Sequence, residues 1–383
     1  MLSERQLEEL LKVYQARTQK VTEEYLKRMG EHLRDIGTLS RTDVHRLIQL
    51  KRVNANIEAV KREIARMAGA MIEDVEDVFR KIAESDAQFA REIFATDHAP
   101  PVKYAPGTDL SAPLERILKA QLRITQQEMA NLSRTTIDST LYREAVDTAV
   151  QIVQTGATDY QSAIRKAMKA AAADGLKVEY PSGYSRRLDT AVRQNILDGV
   201  RALNQDVLEQ IGKDYRADGV EISAHALCAE DHLPYQGRQY TKKEFERIQN
   251  NLYRRFGIWN CKHTWYPILI GITEPSYTED ELQRYIANSN AEITIGDRTM
   301  SRYKWTQEQR KIETAVRAQK DIAVAAKAEG DMMARREAQR NINRWQAMYA
   351  EISKAAGVEE RPDKMTVSGF RRVKAPEELK NAR

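Results

Sequence analysis

The amino-acid sequence points to a mainly α-helical protein carrying one small α+β domain. Three observations carry that expectation. Apolar residues recur three and four apart over most of the chain, as on one face of a helix. Strand-like alternation is absent from the first 95 residues. At Asp218-Gly219 the texture changes, and as far as about residue 275 the chain is rich in Tyr, Trp, Pro and Gly.

Taken in order, Leu7, Leu10, Leu11 and Tyr14 open a helical pattern, which Val53, Ile57, Val60, Ile64 and Met67 continue, followed by Val75, Val78 and Ile82. Gly30 and Gly37 are expected to interrupt it. Four of the ten prolines (Pro100, Pro101, Pro106 and Pro113) mark a linker or extended arm that cannot continue a helix. Helical spacing resumes at Leu114, Ile117, Leu118 and Leu122, and again over residues 141–153 and 160–174. LKVEY at 176–180 alternates like a short strand, and a long helix is expected at 185–213. VEISAHA at 220–226 reads as a strand and 241–255 as a helix. After Thr278 the chain returns to helix, notably over 306–357 with a break at Gly330. The expected organisation is a helical region at 1–98, a Pro-rich linker at 99–113, a helical region at 114–199, the α+β domain at 200–275, and a basic helical arm and tail at 276–383.

Composition excludes several classes. Apolar residues make up 42% and charged residues 31%, ordinary for a soluble protein and too apolar for wholesale disorder. No run of 18 uncharged apolar residues occurs, so no transmembrane helix is expected. The first residues, MLSERQLEELLKVYQ, lack the apolar run of a signal peptide, and the expected location is a cytosol or an assembly formed there. Two cysteines exclude a disulfide scaffold. The net charge of +5 is uneven: residues 301–383 carry 19 Lys/Arg against 12 Asp/Glu. Such an arm suits a polyanion or an acidic protein face, or is a solvated helix surface of mixed sign.

One segment stands out chemically. His225, His232, His263, Cys228 and Cys261 fall within 39 residues, out of six His and two Cys in the whole chain. Imidazole and thiolate are the donors that Zn²⁺ prefers, four in a tetrahedron, and a structural zinc site drawn from these five is one reading. Cys261 and His263, two apart, share one side of an extended segment. The other reading has the His rings satisfied by backbone carbonyls or Asp231, with the Cys acting as small hydrophobes. A catalytic use has less to stand on. Ser223, His225 and Asp231 are the right types for nucleophilic catalysis, but no G-x-S-x-G elbow occurs. A metal-dependent nuclease or hydrolase centred on His225, His232 and His263 is the alternative from a different class, and no His follows His263 to complete it. Neither a Walker-type loop nor G-x-G-x-x-G is present, so no nucleotide cofactor is expected. The aromatics Tyr235, Tyr240, Tyr253, Phe256, Trp259, Trp265 and Tyr266, interleaved with Arg238, Arg254 and Arg255, suit either base stacking or the core of the small domain.

The pattern S-x-H-x-x-C-A-E-D-H-x-x-Y-Q-G-R-x-Y, followed by G-x-W-N-C-K-H-x-W-Y-P-x-x-x-G-I-T-E, resembles the phage minor capsid protein 2 family. His225, His232, Gln236, Gly237, Asn260, Cys261, His263, Pro267 and Gly271 match its motif. Tyr235 stands where Trp is usual and Lys262 where Arg is usual, and Cys228 lies in a stretch that departs from the pattern. Downstream, Thr278, Glu281 and Leu282 are similar to a T-x-x-E-L step, and Gln309, Arg310, Glu313, Arg317 and Lys320 to a family helix. The layout is also similar to Mu F-like head morphogenesis proteins. The resemblance implies a non-enzymatic virion component present in few copies. It would bind the portal protein and other head or connector proteins at or near the portal vertex, act in head assembly, DNA packaging or ejection, and reside in host cytoplasm before assembly. It also gives the basic C-terminal region a partner in packaged double-stranded DNA.

Overall fold

A 52-residue helix shows how the sequence builds this fold. Residues Val44–Ala95 contain no proline, and Val53, Ile57, Val60, Ile64, Met71, Val75, Phe79 and Ile82 form one buried spine along them. Each such side chain taken from water stabilises the packing by about 1.5–3 kcal/mol before entropy is counted. Phe79, rather than the half-buried Val78, holds the core position at that turn.

The computed structural model describes residues 4–36, 44–95, 112–132, 136–155, 160–180, 182–258 and 261–373. It is 71% helical, with ten α-helices and three small antiparallel sheets among these residues, a mainly α chain with a small α+β part. The helices are α1 (Glu4–Ile36), α2 (Val44–Ala95), α3 (Ala112–Leu132), α4 (Thr140–Thr155), α5 (Tyr160–Asp174), α6 (Leu188–Asp214), α7 (Lys242–Asn251), α8 (Glu279–Asn290), α9 (Arg302–Glu329) and α10 (Met332–Ala356). The strands are β1 (Thr136–Ile137), β2 (Lys177–Glu179), β3 (Ser185–Arg187), β4 (Gly219–Ile222), β5 (Gln239–Thr241), β6 (Trp265–Ile268), β7 (Glu292–Ile295) and β8 (Arg298–Ser301). No helix among the described residues is long and apolar enough to cross a membrane. Most of the expected proline-rich linker and the tail beyond residue 373 lie outside the described residues; α3 starts at Ala112 with Pro113 in its first turn, where its missing N–H costs no hydrogen bond.

The chain divides into two units. One comprises residues 15–68, 131–191 and 307–383. Here α4 packs on α5, and β2 is the central strand of a β1-β2-β3 sheet. Gly30 does not interrupt α1, contrary to expectation. A Cβ there would lie 2.4 Å from the Ala325 carbonyl oxygen, so the glycine serves the close approach of α9. The break at Gly330 does occur, with φ +95 between α9 and α10. The α9 face holds this unit together. Gln309 donates to Ser353 at 2.8 Å, Arg361 donates to Glu313 at 2.9 Å, and Lys320 donates to the Met365 carbonyl at 2.6 Å. Arg317 pairs with Asp189 and Arg187 with Asp321, both at 2.7 Å and largely buried.

The second unit comprises residues 1–14, 69–130 and 192–306. Its sheet runs β5-β4-β6, all antiparallel, with Val220 opposite Tyr240 on one side and Pro267 on the other. All four residues of central β4 are buried, and Pro267 sits on edge strand β6, where a missing N–H is tolerated. The expected strand at 220–226 stops at Ile222: the Ser223 N–H still donates to the Thr264 carbonyl at 2.9 Å, but the Thr264 N–H goes to the Ser223 hydroxyl instead of a backbone carbonyl. Helices α7 and α8 each start on a capping box, Thr241 with Glu244 and Thr278 with Glu281. The hairpin β7–β8 replaces expected helix. Its two-residue turn opens with Gly296 at φ +62, a conformation other residues rarely adopt.

Candidate metal centre

Two loops of the β5-β4-β6 unit supply the site. The first leaves β4 and runs through a series of turns from Ala226 to Gly237. Leu227 there holds φ +58, a strained conformation for a branched side chain, beside Cys228. Within these turns the Gln236 N–H bonds back to the His232 carbonyl at 3.2 Å. Gly237, at φ +68, touches Leu282 of α8: a Cβ would lie 2.3 Å from Leu282 Cδ2. The second loop leads from α7 into β6 and carries Cys261 and His263. Arg201 of α6 reaches across and donates to the Cys261 carbonyl at 2.5 Å.

These loops bring His232, Cys261 and His263 into one buried cluster, 0%, 3% and 2% exposed. His232 Nδ1 lies 3.4 Å from His263 Nδ1. Cys261 Sγ lies 3.5 Å from His232 Nδ1 and 3.3 Å from His263 Nδ1. On the outer side of the rings, His232 Nε2 donates to the Arg254 carbonyl at 2.7 Å, with Asp231 3.7 Å away. His263 Nε2 donates to Gln236 Oε1 at 3.0 Å. Phe256 closes the site apolarly, its ring 4.3 Å from that of His232 and 5.1 Å from that of His263, centroid to centroid.

Electrostatics sort the three. Burial, with His225 and His232 nearby, drives the His263 pKa down to about 2, so its ring is neutral. Burial opposes charge on His232 too, but the hydrogen bonds to Cys261 and the Arg254 carbonyl outweigh it and its pKa is raised. For Cys261 burial again opposes charge, and is outweighed by the His232 contact and by the backbone N–H of Gly257, so the thiol is shifted toward thiolate.

His225 and Cys228 stand beside this triangle, not in it. The His225 ring is tilted against that of His263 with centroids 4.4 Å apart, and its Nδ1 contacts the Ala226 carbonyl at 3.0 Å. Cys228 is buried and donates to the Ala229 carbonyl at 3.4 Å; burial pushes its thiol up to about 12. Asn260 and Trp259 lie outside the described residues. Ile222, Ile248, Phe256 and Cys261 form a core against which Tyr235, Tyr240, Phe245 and Trp265 pack, while Tyr253 points to solvent. Most of the aromatic cluster is therefore domain core.

Sequence reasoning missed Arg201 and Glu221. Arg201 is 60 positions from Cys261, and no spacing signals it. Glu221 is a fully buried carboxylate in β4 that accepts from Gln239 Nε2 at 2.9 Å, the Ser276 N–H at 3.1 Å, and the Tyr266 hydroxyl. It ties the loop after β6 to the central strand. An acid at an inward position of an alternating strand was the available signal.

Against known proteins, a model of phage minor capsid protein 2 matches residues 2–351, nearly the whole chain, and the chain belongs to that family. Its role is accordingly that of a structural component of phage heads. No curated protein and no solved structure matches it.

Proposed function

From membership of that family we propose that this chain is a minor head protein bound at or near the portal vertex, where it acts in head assembly, DNA packaging or ejection without catalysing a reaction. The family match over residues 2–351 carries the reading. The architecture supports it. Side chains that an enzyme would present to a substrate are here spent on folding: Gln309, Glu313, Arg317 and Lys320 tie α9 to its neighbours, and the His/Cys cluster is sealed from solvent. A nuclease needs a metal that a phosphodiester can reach, and no observation on the three buried donors favours that.

The partners follow from the same reading: the portal protein first, then other head or connector proteins. Mass spectrometry of purified virions should find the chain, and immobilised portal protein should retain it from solution. Absence from virions would overturn the head-protein reading, and failure to bind the portal would overturn its placement. For DNA, the supporting feature is the basic excess of residues 301–383. Arg317 and Arg361 are already paired with acids of the same unit, which leaves fewer bases for phosphate. A filter-binding titration of the full chain should show affinity for duplex DNA that falls steeply with salt. Salt-insensitive or absent binding removes DNA from the partners.

A further inference from the structure

The hydrogen bonds around the cluster determine where the imidazole protons are. The Arg254 carbonyl only accepts, so His232 carries its proton on Nε2. Gln236 Oε1 lies 3.1 Å from the His225 backbone N–H, which only donates, and this fixes the amide with its oxygen inward. The same oxygen faces His263 Nε2, so that ring too is protonated on Nε2. Apart from the one proton that Cys261 shares with its neighbours, the two Nδ1 atoms, 3.4 Å apart, and the Cys261 sulfur, within 3.5 Å of each, present only lone pairs to one another.

Three acceptors thus face one another in a buried site, with one thiol proton among them. That proton serves one nitrogen and leaves the other facing electron-rich atoms with no donor, which is unfavourable in a buried site. A cation at the centre satisfies all three together. The spacing fits a particular one. Tetrahedral zinc bonds of about 2.0–2.1 Å to nitrogen and about 2.3 Å to sulfur place neighbouring ligands about 3.3–3.6 Å apart. The three separations here are 3.3, 3.4 and 3.5 Å. The donor set excludes the oxygen-seeking Ca²⁺ and Mg²⁺. The carbonyls of Arg254 and Gln236 are the outer acceptors that metal-bound histidines use to hold their tautomer.

We propose that His232 Nδ1, Cys261 Sγ and His263 Nδ1 bind one zinc ion, which staples the loop after β4 to the loop before β6. No other described His, Cys, Asp or Glu joins the triangle. Buried on all sides, the ion is structural, and its binding energy is folding energy. This stands independently of the role at the portal.

The test is elemental analysis of the full chain purified without chelator. One zinc per chain is expected, falling at least about tenfold in Cys261→Ser and His263→Ala. Because those variants risk misfolding, wild-type chain stripped of metal and refilled with Co²⁺ provides a second measurement. It should show a thiolate-to-cobalt charge-transfer band and the intense visible bands of a tetrahedral ion. Stripping should lower the melting temperature and zinc should restore it. Copper in place of zinc, or no stoichiometric metal with a cobalt spectrum lacking the charge-transfer band, would overturn the proposal.

Discussion

Gln236→Leu isolates the one side chain that fixes the geometry of the cluster. The two residues have similar volume, so packing changes little, but the amide oxygen disappears. It accepts from His263 Nε2 at 3.0 Å and from the His225 N–H at 3.1 Å. His263 is 2% exposed, so its orphaned N–H costs about 1–3 kcal/mol. The half-buried His225 N–H can turn to water and costs about 1 kcal/mol or less. In the other direction, the buried Gln236 Nε2 makes no hydrogen bond among the described residues, and deleting it returns about 1 kcal/mol. The net expectation is a loss of about 2 kcal/mol. With a urea m-value of about 2 kcal/mol/M, the unfolding midpoint of the unit holding residues 192–306 drops by about 1 M. Tryptophan fluorescence follows it, since three of the four tryptophans fall in that range. In zinc-loaded chain the affinity for the metal should fall about 10–100-fold as well. A midpoint unchanged within about 0.2 M, an energy of less than about 0.5 kcal/mol, would refute the assignment of the tautomers.

Glycine to alanine should act with opposite sign at two helical positions. Gly30→Ala forces a Cβ to 2.4 Å from a backbone oxygen that cannot rotate away, and should destabilise by about 1–3 kcal/mol despite alanine's helix preference. Gly69→Ala in α2 meets nothing within 4 Å and should stabilise by about 0.5–1 kcal/mol, both read by urea denaturation. Asp321 gives a pH signature. Burial raises its carboxyl from 3.8 to about 6 against the pull of Arg187, so the folded chain keeps a proton that the unfolded chain releases. Its contribution is complete below about pH 4 and is lost as pH rises through about 6, up to about 3 kcal/mol, and Asp321→Asn should flatten stability over that window. A variant profile parallel to wild type would contradict it. Glu221→Leu orphans donors on β5, β6 and the loop after β6, and should cost about 3 kcal/mol or more by the same urea measurement, against near-neutral change if the carboxylate is a bystander.

Elements with a long period were readable because the signal repeats. The α2 spine spans about eight turns of consistent spacing, and its burial follows without tertiary information. Short strands carry no such redundancy. Ser185–Arg187 forms β3 only because β2 lies beside it, and its sequence reads as helix start. Hairpin β7–β8 was readable: ITI and RTM flank Gly296-Asp297, a two-residue turn signal overridden by the helical stretches on either side. Gly30 went the other way, because a packing partner about 295 positions distant decides its role. At the site, spacing gathered five donors but not their selection. That depends on Leu227 at φ +58 and on a carbonyl of Arg254, and neither is a property of residue type.

The motif residues nevertheless share one physical logic, and it is a folding logic. Gln236 sets the His263 tautomer and anchors the His225 backbone. Gly237 leaves room for Leu282, which the Thr278–Glu281 capping box delivers to that spot. Pro267 packs against Gly212 of α6, where a Cβ would lie 2.6 Å from the ring. Cys261 and His263 lie buried on the loop that leads into β6, where Tyr266 pairs with the buried Glu221. An enzyme's motif spends such residues on a surface that substrate can touch. Here each one closes a contact inside a small domain poor in aliphatic core, in which Ile222 and Ile248 are the aliphatic members of the central cluster. A domain with so little apolar area gains most from a cross-link between its loops, and the zinc ion proposed at the thiol–imidazole triangle supplies one.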